Sequence, residues 1–446
     1  MNIALLCVIN NHKKGAMNKD LAGGMGTRSD FGNSLLSKII VFLKKQLIRL
    51  PIISFAFIQA ILKKQGHDVS YFEGDDIAGE YDLVLIYGSI VDFHYENEVA
   101  KKIKERYPKT KIGFFGTFPT VKPNLFKEAD FVIRGEAESF FLYEFQQIPD
   151  KKNLPKIIKV KKLLDLNDLP TPDFDDFPVK EYSYFPAIKE KPFLVLQGSK
   201  GCPYSCFYYC PYGMIQGQKY RIRKADKLFR DVINLISKYK IKGLQFRDPT
   251  FGIDRNQVKD FCRFLIDSKV KIKFGIETRL DLLDKEILDL MFKAGLKNLN
   301  VGIETIEENI AHLNKRKLIQ MKHQEEMINY CKKLGIKVSA FYIFGLRGDT
   351  EESIKKTIEY AIKLNTNIAQ FTISCPYPDT KYYDELKAKN LITEENFEKF
   401  DSSNLVFQHE NLTGEQVLKL RNYAFRKYYF RPAYFINFLK WRIKEF

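Results

Sequence analysis

The sequence predicts an α/β protein: a doubly wound parallel sheet, then a partial barrel of six β/α units, then a mainly α-helical C-terminal extension. Three observations carry this prediction. Short apolar runs alternate with helical stretches over residues 1–150 and again over 191–375, the pattern of parallel strands joined by crossover helices. Between them, residues 151–190 sustain no period and are punctuated by Pro and acids, as in Leu169-Pro170-Thr171-Pro172-Asp173, which marks a linker. The chain has 446 residues and is 45% hydrophobic, too long for one ordinary core and apolar enough for several.

In the first region the expected strands are Ile3–Ile9, Val69–Glu73, Leu83–Tyr87, Ile112–Phe115 and Phe131–Ile133, and the expected helices Ile52–Gln65, Glu96–Arg106 and Glu138–Gln147. Ligands of such sheets sit at the carboxyl ends of the strands. An insertion of about forty residues follows the first strand and contains Gly23-Gly24-Met25-Gly26-Thr27-Arg28, and so long a connection in a compact domain is usually functional. In the barrel region the expected strands are Phe193–Gln197, Gly243–Phe246, Ile272–Ile276, Asn298–Val301, Val338–Ile343 and Ala369–Ile373, with helices such as Lys224–Tyr239, Leu283–Ala294 and Glu351–Leu364. Six units fall two short of a closed eight-fold barrel and leave it open to a bulky substrate. Residues 376–446 form the extension.

The start of the chain has no basic segment before its apolar run, so no signal peptide is read there. The longest uncharged apolar run, Leu50 to Leu62, is too short to span a bilayer. A cytoplasmic protein with reduced thiols is expected. The formal net charge is +17, yet no nucleic-acid-binding module is present. From Gln416 onward Lys and Arg interleave with aromatic residues and the one acid is Glu445. Such a segment can lie on a membrane surface; a C-terminal helix docked on its own domain with a solvated basic face is the commoner outcome.

Three of the seven cysteines, Cys202, Cys206 and Cys210, stand within nine residues after the first barrel strand, where barrel loops gather catalytic groups. Three thiolates can hold three irons of a [4Fe–4S] cluster and leave the fourth open to a small molecule. That is the arrangement needed to reduce S-adenosylmethionine (SAM) to a 5′-deoxyadenosyl radical. A structural zinc site would want four ligands in two short pairs, and no second pair or nearby His is present. A disulfide would strand the third thiol, and flanking Gly201 and Pro203 indicate a loop rather than core.

With the domain order, these residues resemble the radical SAM family that carries a cobalamin-binding N-terminal domain. The family spacing is CX3CX2C; here it is CX3CX3C, with Tyr209 keeping the aromatic neighbour of the last Cys. The resemblance extends to Phe246-Arg247-Asp248-Pro249-Thr250-Phe251, Gly302-Ile303-Glu304-Thr305, Phe344-Gly345-Leu346-Arg347-Gly348-Asp349-Thr350, where Arg347 replaces the usual Pro, and Cys375-Pro376-Tyr377-Pro378-Asp379-Thr380. It implies SAM contacts from Asp248 to the methionine ammonium, Glu304 to ribose or amine, Arg279 to the carboxylate, and Gly345 beside adenine. A helix N-terminal acid is the plain alternative for Asp248, and a salt bridge for Arg279. For cobalamin it implies Ser89 and the loop Gly116-Thr117-Phe118-Pro119-Thr120, with Gly116, Thr117 and Thr120 near the corrin and its tail. The family's Asp-x-His-x-x-Gly run is absent, and neither His12 nor His94 stands in that context.

The resemblance implies a cobalamin-dependent methyltransferase acting on an unactivated carbon, with an external electron donor and a small-molecule or lipid-like substrate. The alternatives are a non-methylating radical cyclase or isomerase on a tetrapyrrole or lipid-like substrate, and a non-catalytic cobalamin or redox sensor. The basic tail adds an expected peripheral membrane contact.

Overall fold

The structure is a computed structural model that describes residues 1–13, 15–29, 41–42, 44–148, 150, 153–434 and 436–437. Residues 30–40 of the insertion and 438–446 of the tail, on which expectations above fall, lie outside the described residues. The chain forms two compact units, residues 1–184, 190–203 and 210–243, and residues 185–189, 204–209 and 244–446.

In the first unit six parallel strands lie in the order Asp68–Gly74, Asn2–Val8, Leu83–Tyr87, Lys111–Phe115, Phe131–Arg134, Ile157–Lys159. The second and third strands flank the first, so the order reverses there, and a doubly wound sheet takes its ligand at the carboxyl ends beside such a reversal. Both faces are covered, which is why Leu83–Tyr87 is buried throughout and reads as a continuous apolar run. Helix Ile53–Lys64 is buried on most of its surface, through Phe55, Ala56, Phe57, Ile58, Ile61 and Leu62.

Three features depart from expectation. Ile157–Lys159, inside the stretch read as a linker, pairs parallel with Phe131–Arg134 as a sixth strand. Helix Phe93–Arg106 begins three residues earlier than expected, after Asp92. Glu138–Gln147 is not one helix but an α-turn at Ala137–Ser139, a π-helix at Phe140–Glu144 and a 3-10 turn at Phe145–Gln147. Phe140, Phe141 and Phe145 are all fully buried, and the wider π-turn brings all three inward where a regular helix would turn one outward.

The barrel sheet holds six strands in chain order: Phe193–Leu196, Gly243–Phe246, Lys273–Thr278, Leu296–Glu304, Lys337–Phe344 and Ile368–Ile373. The last four pair parallel. Side-chain oxygens of Asp254, Asp284 and Thr350 cap the following helices, accepting from the backbone N–H of Gln257, Ile287 and Ser353 at 2.9, 2.9 and 3.2 Å. Such caps stop the β/α loops at defined points. The outer face of the last two strands is apolar, and Tyr342, Phe344 and Phe371 stack there. Helix Gly414–Tyr429 covers it, placing Phe425 and Tyr428 edge-on to Phe371. The C-terminal helix is therefore docked, with Leu418, Tyr423 and Phe430 left exposed.

Candidate active site

The cysteine loop grows from a closed neck. Ser199–Lys200 pairs antiparallel with Arg221–Ile222, so residues 201–220 leave and return at one point. Gly201 has φ +82°, and a Cβ there would lie 2.1 Å from the Lys219 carbonyl oxygen, so only glycine fits. Buried charges tie the neck down. Lys200 meets Glu138 at 3.1 Å, and Arg221 donates to both Glu136 carboxylate oxygens at 2.7 and 2.9 Å. Burial pushes the Glu138 carboxyl up, but Lys200 and the Ser54 hydroxyl outweigh it and leave it below its ordinary value.

Within the loop Cys202, Cys206 and Cys210 are partly exposed and form no disulfide. A 3-10 turn over Ser205–Tyr208 carries Cys206, and Tyr208 and Tyr209 are buried beside it. Among the described residues no three His, Cys, Asp or Glu side chains converge on one ion position. Elsewhere, burial pushes the thiols of Cys262 and Cys331 up to about 12, which disfavours the thiolate a metal needs.

Along Leu296–Glu304, Lys337–Phe344 and Ile368–Ile373, Gly302, Glu304, Phe341, Ile343, Gln370 and Thr372 are half-buried while the residues between them are buried. The registers Gly302↔Phe341↔Gln370 and Ile343↔Thr372 set these side chains in tiers. Because side chains alternate across a strand, the half-buried set shares one face of the sheet and the buried set the other.

Glu304 ends the fourth barrel strand on the half-buried face. It has φ +69°, at a register shift between Gly302 and Glu304. A Cβ on Gly302 would fall 2.3 Å from its Oε1, so glycine two residues earlier makes room for the carboxyl. Burial raises its pKa, opposed by Arg316 and Arg279. Arg316 lies 3.6 Å away and also donates to the Gly302 carbonyl. Burial works against its charge, but Glu304, Tyr209 and the Cys206 thiol hold it ionised. Sequence reasoning missed Arg316: it sits in the run Lys315-Arg316-Lys317, which reads as a solvated basic patch.

The other expected SAM contacts are placed differently. Arg279 is bidentate to Asp281 at 2.9 and 3.0 Å and lies 4.3 Å from the centroid of the Tyr204 ring. Arg279 is buried, so this pair is not a surface salt bridge. Asp248 is fully buried just past the second barrel strand. Gly345, φ +76°, turns the end of the fifth strand, with its open side toward Leu405 and Val417 of the extension.

At the carboxyl edge of the first sheet the structure brings Ser89, Gly116 and Thr117 together beneath the glycine insertion. The Ser89 N–H and hydroxyl both donate to Glu96 at 2.9 and 2.8 Å, and Glu96 also pairs with buried Lys19 at 2.6 Å. The Thr117 hydroxyl donates to the Gly23 carbonyl at 2.5 Å, and the Tyr87 hydroxyl to the Gly24 carbonyl at 2.8 Å. Thr120 lies further along, donating to Gly116 O at 2.8 Å and accepting from Gly135 N at 3.0 Å. The edge is small and glycine-rich, which fits close approach of a large cofactor, but the three hydroxyls expected to meet it are engaged with the chain itself. A Cβ on Gly23 would lie 2.8 Å from the backbone N of Tyr212, so the insertion also rests on the segment just after Cys210.

The comparisons agree with this geometry. The Radical SAM superfamily profile matches residues 196–361. An uncharacterized methyltransferase of Pyrococcus horikoshii is 26% identical over 87% of this chain and 89% of its own length. The anaerobic magnesium-protoporphyrin IX monomethyl ester cyclase of Rubrivivax gelatinosus is 24% identical over 76% of this chain and 63% of its own. Among solved structures, the radical SAM methyltransferase TsrM of Kitasatospora setae, determined with cobalamin and a [4Fe–4S] cluster bound, superposes with TM-score 0.62 at 12% identity, covering 87% of this chain and 75% of that one. The protein is a radical SAM enzyme. Its sequence relatives include proteins named as methyltransferases and as cyclases, and its fold is similar to that of the solved cobalamin-bound TsrM structure.

Proposed function

We propose that this enzyme is a cobalamin-dependent radical SAM methyltransferase acting on an unactivated carbon of a small or lipid-like molecule. The observation that carries the reading is the turn bearing Cys206, one of three clustered cysteines, in the same unit as buried Arg316, whose charge Glu304 and Cys206 both support. When bound, the cluster, SAM and cobalamin supply reducing power, a carbon radical and a transferable methyl group. Cys202, Cys206 and Cys210 would ligate the cluster. Glu304, ionised against Arg316, accepts from the SAM ammonium, a charge-assisted bond, and Arg316 keeps that carboxylate charged and fixed. Phe341, Ile343, Gln370 and Thr372 form a wall without charges, suited to a neutral substrate. The glycine insertion and the sheet edge beneath it would receive cobalamin. An external one-electron donor completes the set.

The test is anaerobic reconstitution with iron, sulfide and cobalamin, followed by SAM, a strong reductant and extracts of candidate substrates. Cobalamin-dependent S-adenosylhomocysteine together with 5′-deoxyadenosine is expected. Deoxyadenosine without S-adenosylhomocysteine, and a product lighter by hydrogens, would replace this reading with the cyclase chemistry named for the Rubrivivax relative.

The exposed face of the last helix, with Leu418, Tyr423, Arg426, Lys427 and Phe430, is proposed to touch anionic lipid. Co-sedimentation with phosphatidylserine vesicles that falls in Arg426→Glu/Lys427→Glu is expected; equal binding of both proteins removes the contact.

A further inference from the structure

Two departures from the family pattern meet in space. The interval between Cys206 and Cys210 is one residue longer than CX2C, and Arg347 stands where relatives carry Pro. Tyr208 lies in the lengthened interval and is 4% exposed. Its hydroxyl donates to Glu385 Oε2 at 2.7 Å. Arg347 Nη1 donates to the same hydroxyl at 3.3 Å and to the same carboxylate oxygen at 3.2 Å. Glu385 belongs to helix Lys381–Ala388 of the C-terminal extension, and Tyr382 on that helix sets its ring 5.5 Å from the Tyr208 ring.

The surroundings fix both ends of this triad. Asn314 donates to the Arg347 carbonyl at 2.9 Å, and Ser205, next to Cys206, donates to the carbonyl of Lys315 at 2.7 Å. One short segment, Asn314-Lys315, thereby holds the cysteine turn on one side and the Arg347 loop on the other. A Pro at 347 would offer no side-chain donor. An added loop residue brings conformational freedom that must be removed again if a nearby thiolate is to keep one position. A buried phenol hydroxyl needs its partners, so Tyr208 supplies a fixed point that the half-exposed Arg347–Glu385 pair, weak by itself, completes.

We propose that Tyr208, Arg347 and Glu385 form a positioning clamp by which the C-terminal extension absorbs the extra residue and fixes the turn bearing Cys206 for cluster assembly. The inference rests on the reading of the three cysteines as cluster ligands.

Two readouts test it. The first is iron and sulfide per chain after anaerobic reconstitution, with the electron paramagnetic resonance spectrum of the reduced protein. The second is the alkylation rate of Cys206 in the metal-free protein, followed by mass spectrometry. Tyr208→Phe, Glu385→Gln and Arg347→Pro should each alkylate Cys206 several-fold faster, and hold less than half the wild-type iron with a broadened signal, at unchanged far-ultraviolet circular dichroism. Arg347→Lys should restore much of both, and Tyr208→Phe/Arg347→Pro should be no worse than the poorer single variant, since coupled groups are not additive. Wild-type alkylation, iron content and spectrum in all three single variants overturn the clamp while leaving the cluster assignment intact. Full cluster content in Cys206→Ala would instead overturn the assignment on which the clamp rests.

Discussion

Glu304 concentrates the residue-scale chemistry. Its left-handed backbone is costly for a non-glycine residue, and such strain persists where the surroundings over-determine it. Here Arg316 does so, along with the space above Gly302. Because burial raises this carboxyl, the acid ionises above the usual carboxylate range, and SAM binding should strengthen as pH rises through that range. Calorimetric titration of reconstituted protein with SAM should show the pH dependence in wild type and a flat, at least tenfold weaker binding in Glu304→Gln; equal affinities would remove Glu304 from the site. Asp349 offers a stability test. Burial lifts its carboxyl to about 7 against the opposing bonds from Ser353 and the Leu346 and Gly345 backbone. The folded state then binds more protons than the unfolded one between the ordinary carboxylate value and about 7, so stability falls as pH rises across that window and levels off above it. The full effect is about 4 kcal/mol. Melting curves of Asp349→Asn should lose this slope. The cysteines were legible in the sequence because clustering and Gly/Pro flanks need no tertiary knowledge. Arg316 and Tyr208 were not, since only tertiary packing buries one of three consecutive cations and turns one of two adjacent tyrosines onto Glu385.

Among the elements, the neck of the cysteine loop has the most to lose. Lys200, Glu136 and Glu138 are buried and Arg221 nearly so, and removing one partner of a buried pair leaves a charge uncompensated, at about 3–5 kcal/mol. Lys200→Met should therefore unfold at markedly lower urea than wild type, whereas Arg230→Ala, at an exposed position of the following helix, should not; equal midpoints for Lys200→Met and wild type would show that the neck is held otherwise. In the glycine insertion, Gly23→Ala drives a methyl into the Tyr212 backbone and should lower both cobalamin retention and cluster content; unchanged values for both would show that the insertion yields freely. Strands were readable where both faces are buried, since Leu83–Tyr87 and Gly243–Phe246 are uninterrupted apolar or nearly apolar runs bounded by turn residues. Ile157–Lys159 escaped because it is a three-residue edge strand with one buried side chain between two exposed ones, too short for a period to register. The broken helix at Phe140–Gln147 escaped because periodicity cannot distinguish a π-turn from an α-turn.

Over the whole molecule, the order of a doubly wound sheet, a six-strand barrel and a helical extension is the fold this chain shares with the solved TsrM structure. That order was legible because alternation of strand and helix survives low identity. Among the described residues no helix is long and apolar enough to cross a membrane. Everything proposed for the enzyme depends on three thiolates leaving one iron open to SAM. The direct measurement is the electron paramagnetic resonance spectrum of anaerobically reconstituted, reduced protein with and without SAM. A [4Fe–4S] signal whose g-values shift on SAM addition, and which is lost in Cys202→Ala, Cys206→Ala and Cys210→Ala, is expected. A signal indifferent to SAM, or one that survives those substitutions, would contradict the assignment of this loop as the site where SAM meets the cluster.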